Sequence, residues 1–190
     1  MILHTRVVNT PVGDVVLFAR GEALVGLEFG DATDRRAALA RTLERHLGGF
    51  ITADHPDPAG AGTRLQRYFA GDRDALAAQP VQPHGTAFQL GVWKALRAIP
   101  QGSTRTYGEV AAAIGRPAAV RAVGAANGAN PIALFVPCHR VIAANGTLWG
   151  YGGGLPRKRW LLAHEGARFA DPEAQGALAL APGAGGPAAG

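Results

Sequence analysis

Tyr107-Gly108-Glu109-Val110-Ala111-Ala112-Ala113-Ile114-Gly115-Arg116-Pro117-Ala118-Ala119-Val120-Arg121-Ala122-Val123-Gly124-Ala125-Ala126-Asn127 decides how the second half of this 190-residue chain folds. Tyr107 to Ile114 reads as a short helix stopped at Gly115, and Pro117, whose fixed φ suits a first helical position, opens a second one running to about Asn127. Two short helices around a tight glycine-containing turn make a helix-turn-helix pattern, which helical hairpins without any DNA role also share. The second helix carries one long polar side chain, Arg121, among alanines and glycines that include Ala122, Gly124 and Ala126. A fully dressed helix is about 10–12 Å across and a minor groove about 6 Å wide, so a bare face suits close approach to a groove; it equally suits tight helix packing.

Working outward, Thr86 is placed to cap a helix with an apolar stripe of Val92, Trp93, Leu96 and Ile99, stopped by Pro100 and Gly102. The first half reads differently. Ile2 to Val8, Val15 to Ala19 and Leu24 to Phe29 are short apolar runs separated by turn residues, the pattern of a strand meander. Leu39, Leu43 and Leu47 recur at i+4 between Asp34 and Gly48, which predicts an amphipathic helix over that sheet. Phe50 to Gly62 reads as loop and Thr63 to Ala70 as another short helix. The expected class is α+β, with units at 1–82 and 83–169 and a disordered Ala/Gly/Pro tail over 170–190.

Composition narrows the partners. Apolar residues make up 47% and charged residues 17% of the chain, and no apolar run approaches the roughly 20 residues of a membrane span. The N-terminus has no secretory leader pattern, so a cytoplasmic location and no membrane partner are expected. The net charge of +5 is unevenly placed: −1 on residues 1–82, +8 on 83–169 and −2 on 170–190. Such an excess on one unit suits a polyanion such as nucleic acid, or simply a solvated basic face.

Cys138 is the only cysteine, so it forms no internal disulfide, and no metal site is expected. A lone cysteine is commonly an inert buried filler. In Pro137-Cys138-His139-Arg140, however, it stands beside a base and a cation, and such neighbours lower a thiol's pKa and make the nucleophilic thiolate. On an extended segment adjacent side chains face opposite ways, so His139 would need a bridging water or a local turn to serve Cys138. The helix from Pro156 to Glu165 is charged against its dipole, with Arg157, Lys158 and Arg159 at its start and Glu165 at its end. Phosphates would explain the cations and a buried histidine the carboxylate; surface charge tolerated by a well-anchored helix is the plainer reading.

Gly85-Thr86-Ala87-Phe88-Gln89, Ile99-Pro100-Gln101-Gly102, Tyr107-Gly108, Arg121-Ala122-Val123-Gly124, Asn130-Pro131, Pro137-Cys138-His139-Arg140-Val141-Ile142 and Gly150-Tyr151 together resemble the O6-alkylguanine-DNA alkyltransferases. The resemblance is dense over about residues 85–166 and loose at Thr10-Pro11-Val12-Gly13 and Tyr68-Phe69-Ala70-Gly71. It implies a ribonuclease-H-like first domain and a helical, winged helix-turn-helix-like second one. It further implies that Cys138 accepts the alkyl group, His139 is the base acting through a water, Glu165 orients that histidine and Asn130 ties the active-site turn to the helix-turn-helix. Tyr107 would help rotate the nucleotide, and Arg121 would replace the flipped guanine in the stack. Val141, Trp149, Tyr151 and Gly152 would form the guanine pocket. Arg105, Ala122, Ala126, Arg140 and Lys158 would join Arg121 against DNA. No cofactor is implied; the partner is double-stranded DNA containing O6-alkylguanine, met by a monomer. Trp149 is bulky for its loop. Two rivals share these residue types: a Cys-His-Glu hydrolase, which requires direct contact between thiol and imidazole, and a module that binds lesions without repairing them.

Overall fold

A computed structural model describes residues 1–170 of the chain. Strands β1 (Ile2–Val8), β2 (Val15–Arg20) and β3 (Ala23–Phe29) pair antiparallel in chain order, as their turn residues predict. Helix α1 (Thr33–Leu47) then crosses back, and β4 (Ile51–Asp54) adds parallel to β1, giving the order β3-β2-β1-β4. The expected loop from Phe50 therefore begins with a strand, four residues at the sheet edge with three of them exposed. Leu39 and Leu43 of α1 bury against Leu3 and Val25. The approach is close at Gly26, where a Cβ would stand 2.7 Å from Leu39 Cδ2, so any larger residue there would force the Leu39 side chain to shift.

Helix α2 (Ala61–Phe69) follows, two residues earlier than its sequence pattern predicts. Helix α3 (Ala87–Arg97) opens on Thr86, which accepts from the Gln89 backbone while the Gln89 side chain accepts from Thr86, a reciprocal capping box. Thr106 and Glu109 repeat that device at α4 (Tyr107–Ala113). The second helix of the pair, α5, spans Val120–Gly128 and not Pro117 onward: Pro117 sits in a turn closed by Ala119 N donating to Arg116 O. Trp93 Nε1 donates to Ala126 O at 2.9 Å and locks α3 to α5. Two short strands, β5 (Arg105–Thr106) and β6 (Val141–Ile142), pair in parallel and connect the start of α4 to the segment that carries Cys138. Helix α6 (Leu155–His164) closes the unit.

Buried side chains from 1–82 and 83–169 form one contiguous core, from Val8 through Tyr68 and Trp93 to Leu161. The outer edge of β3 is not open either, since Leu24 N donates to Pro80 O and Leu27 N to Pro131 O. Ala170, where the tail was expected to start, pairs with the 146–147 turn; the remainder of that expectation lies outside the described residues. Among the described residues no helix is long and apolar enough to cross a membrane.

Candidate active site

The apolar run before Cys138 is not a strand. Ile132 makes a single bridge to Leu27, Leu134 takes a left-handed φ of 70°, and Cys138–Arg140 form one 3-10 turn. A non-glycine residue at positive φ is held only where its surroundings over-determine it. Here Asn130 does so: its Nδ2 donates to Val136 O at 2.7 Å and its Oδ1 accepts from Ile132 N at 3.0 Å. Asn127, at the end of α5, adds a bond from Nδ2 to Cys138 O at 3.4 Å. The turn thus hangs from the helix-turn-helix through two asparagines, of which the sequence reading assigned only Asn130 to the site.

The turn brings His139 and Arg140 inward together, onto Glu165 at the end of α6. His139 Nε2 lies 3.0 Å from Glu165 Oε1, while Arg140 donates from Nε to Oε2 at 2.8 Å and from Nη2 to Oε1 at 2.9 Å. Arg140 Nη1 is also committed, to Ile99 O at 2.6 Å. Arg140 is therefore no DNA contact; the buried carboxylate consumes its charge. Tyr68 of α2 completes the cluster by donating to Glu165 Oε1 at 2.8 Å. Burial opposes ionisation of Glu165, yet the hydrogen bonds and charges from His139 and Arg140 hold its carboxyl well below the usual range. Burial lowers the pKa of His139, so its resting form is neutral, and with Nε2–H directed at the carboxylate the basic nitrogen is Nδ1. Among the described residues Nδ1 has no hydrogen-bond partner, so the imidazole does not bond the thiol directly. That geometry lacks the contact a Cys-His hydrolase requires. Burial also pushes the Cys138 thiol up, against the Asn130 hydrogen bond and the charges of Lys158 and Arg35, so the resting group is a thiol that needs a base.

Lys158 is the second correction. It is fully buried, and its Nζ donates to Val141 O at 2.6 Å, Trp149 O at 2.7 Å and Gly150 O at 3.3 Å. Burial brings its pKa down to about 8. Arg157 likewise donates inward, to Val12 O, Gly153 O and Asp31 Oδ2, with its guanidinium 4.5 Å from the Phe29 ring centre. These two cations at the wrong end of α6 are spent on internal acceptors, not held for phosphates. Ala126 is a third correction: it is 3% exposed and faces the core, whereas Ala122, Arg121 and Arg105 are exposed.

A cavity of about 510 Å³ opens between α5 and the 149–152 loop, lined by Arg35, Tyr107, Arg121, Asn127, Trp149 and Tyr151, with Gly124 and Gly152. Tyr107 Oη donates to Trp149 O at 3.2 Å, and burial raises its pKa, so it is a protonated donor. The Trp149 ring itself stands 69% exposed. Val141 lies outside the lining, with its carbonyl engaged by Lys158. Arg35 is another residue that sequence reasoning missed. It pairs with buried Glu28, donates to Gly128 O and Asn130 O, and reaches within 2.6 Å of where a Gly152 Cβ would be. The available signal was Glu28, a carboxylate inside an apolar strand that required a partner.

This geometry has known counterparts. The family model described as 6-O-methylguanine DNA methyltransferase, DNA binding domain, matches residues 87–167. The methylated-DNA--protein-cysteine methyltransferase of Salmonella typhimurium is 47% identical over 160 residues, covering 84% of this chain and 93% of that protein. The protein of the same name from Mycobacterium tuberculosis is 45% identical over 170 residues, covering 88% and 94%. Among solved structures, that of Mycobacterium tuberculosis OGT in complex with DNA superposes with a TM-score of 0.72 at 43% identity, over 86% of this chain and 92% of that one.

Proposed function

The chain belongs to the methylated-DNA--protein-cysteine methyltransferase family, and from that premise we propose that it repairs duplex DNA by moving the alkyl group of O6-alkylguanine onto Cys138, once per molecule. The observation that carries this reading is the turn itself: a buried thiol, beside a histidine–carboxylate pair at 3.0 Å, attached through Asn127 and Asn130 to a helix-turn-helix with a cavity at its face. Residues 1–82 are a ribonuclease-H-like unit, in keeping with the sheet order β3-β2-β1-β4, and 83–169 a winged helix-turn-helix-like unit that works as a monomer.

A guanine stacked in a duplex cannot reach an enclosed sulfur, so it must be flipped out, at a cost of about a few kcal/mol that falls when pairing is already weakened. α5 meets the minor groove with its small-residue face; Arg121, exposed at the cavity mouth, fills the space that the base leaves, and Arg105 and Ala122 lie against the backbone. At the buried turn the Cys138 proton passes through a water to His139 Nδ1, and Glu165 and Arg140 hold the imidazole oriented. The thiolate attacks the alkyl carbon in line; a C–S bond forms as the C–O bond breaks, and the electron pair leaves with guanine. Tyr107 shares its proton with the departing base and regains one from His139, so the proton lost by the thiol ends on guanine. The thioether has no nucleophile placed to cleave it, so the protein is consumed.

Incubation with a duplex containing one O6-methylguanine, followed by intact-protein and peptide mass spectrometry, tests the reading. One methyl group per chain, on Cys138, is expected. Repeated turnover, or binding with no mass gain, overturns it in favour of a hydrolase or a lesion-binding module.

A further inference from the structure

The other side-chain donors to Glu165, His139 and Arg140, come from the Cys138 turn, but one donor reaches it from the first half of the chain. Tyr68 is essentially inaccessible in the core, and its hydroxyl lies 2.8 Å from Glu165 Oε1. That same oxygen accepts from His139 Nε2 at 3.0 Å and Arg140 Nη2 at 2.9 Å, whereas Oε2 accepts only from Arg140 Nε. A carboxylate facing an arginine fork alone would share its charge evenly between both oxygens. His139 and Tyr68 add two further donors on one side, so Oε1 carries three and Oε2 one.

We infer that Tyr68 is a positioning residue of the transfer reaction: its hydroxyl holds Glu165 Oε1 in place against His139 and keeps the imidazole in the tautomer whose Nδ1 serves the thiol. The inference rests on the alkyl-transfer reading above. By donating to Oε1, the hydroxyl lowers that oxygen's basicity, so the shared proton stays on His139 Nε2 and Nδ1 stays open as the base. It also fixes the carboxylate's rotation. The ring that carries it is itself clamped, by Phe69 at 5.0 Å, His164 at 5.1 Å and the bond between His164 Nε2 and Tyr68 O at 2.9 Å. Burial and the neighbouring carboxylate push the Tyr68 pKa far up, so it remains a donor throughout the working range. α2 thereby gives the first unit a direct hold on the reacting centre.

Tyr68→Phe keeps the ring and its packing and removes only the hydroxyl. Single-turnover rates with free O6-benzylguanine, measured from neutral to alkaline pH, should fall about tenfold near neutrality, the scale of one hydrogen bond to a charged group, and converge with wild type at high pH, where hydroxide takes the thiol proton. Because Tyr68 acts through Glu165, the double variant Tyr68→Phe/Glu165→Gln should be no slower than Glu165→Gln alone. A loss of equal size at every pH, no loss at all, or full additivity in the double variant overturns the inference. Wild-type protein that gains no methyl group from an O6-methylguanine duplex overturns the alkyl-transfer reading and this inference with it, whereas a reactive wild type beside an unaffected variant sinks the inference alone.

Discussion

Glu165 stands where a helix least favours an anion, next to the carbonyl end of α6, a placement that costs about 0.3–1 kcal/mol by itself. Four hydrogen bonds from Tyr68, His139 and Arg140 more than offset it. Their combined effect is to fix a negative charge beside an imidazole that must become positive while the thiol gives up its proton. Glu165→Gln removes that charge, so the reaction with free O6-benzylguanine should slow far more at neutral than at alkaline pH, since burial already holds the Cys138 thiol up. Equal losses at every pH in a folded variant would mean that Glu165 only anchors α6. Lys158 poses the opposite problem, a cation with three carbonyls and no carboxylate. Lys158→Met takes the charged donor from all three carbonyls, with Trp149 O keeping its bond from Tyr107, and should destabilise the fold by roughly 2–4 kcal/mol, read as a lower denaturation midpoint, without changing the salt dependence of DNA binding. A flattened salt slope with unchanged stability would return Lys158 to the phosphates.

At the scale of elements, α5 carries the division between binding and chemistry. Its exposed side presents Arg121 and Ala122 while its buried side holds Val123, Ala126 and Asn127, so one helix carries the Cys138 turn on one side and, on the other, the face proposed to meet DNA. Arg121→Ala should therefore cut repair of an O6-methylguanine duplex by at least about tenfold, losing the residue proposed to fill the emptied stack, and leave the rate with free O6-benzylguanine close to wild type. Parallel loss on both substrates would place Arg121 in the chemistry. The helices of this half are legible because their signals are local: Thr86 and Gln89 cap α3 from three residues apart. Pro117 misleads because a proline suited to a helix start is equally suited to the turn before one. The run from Ile132 to Val136 is not legible because five apolar residues fit a strand or a buried turn alike, and Asn130, which chooses between them, acts through side-chain bonds that no periodicity reveals. β4 escaped because a four-residue edge strand, most of it exposed, has no alternation to read. Of the site, the 137–140 signature and Glu165 are visible by resemblance, whereas Arg35 and Tyr68 lie about a hundred residues from the groups they hold.

Across the whole molecule, the two halves meet through one core and a few long-range polar links, and Arg157 is one of these. From the start of α6 it donates to Val12 O at 2.7 Å and to Asp31 Oδ2 at 2.8 Å in the first half, and to Gly153 O at 3.0 Å in the loop beside the cavity. Its fit is tight enough that a Cβ on Gly13 would come within 3.2 Å of its Nη2. The Asp31 arm is exposed and contributes little, as surface ion pairs do, and its carboxyl is drawn down chiefly by that hydrogen bond. The carbonyl bonds matter more, because Val12 O and Gly153 O would lose a charged donor. Arg157→Met preserves the aliphatic stem over Phe29 and removes all three bonds, so we expect a loss of about 1–3 kcal/mol in unfolding free energy. The same substitution should leave the slope of log binding constant against log salt unchanged, since a cation already spent inside the fold releases no counterion from DNA. Chemical denaturation and salt titrations of duplex binding decide the matter together: a slope flattened by about one unit at constant stability would mean that Arg157 leaves Val12 and Asp31 to bind a phosphate when DNA arrives.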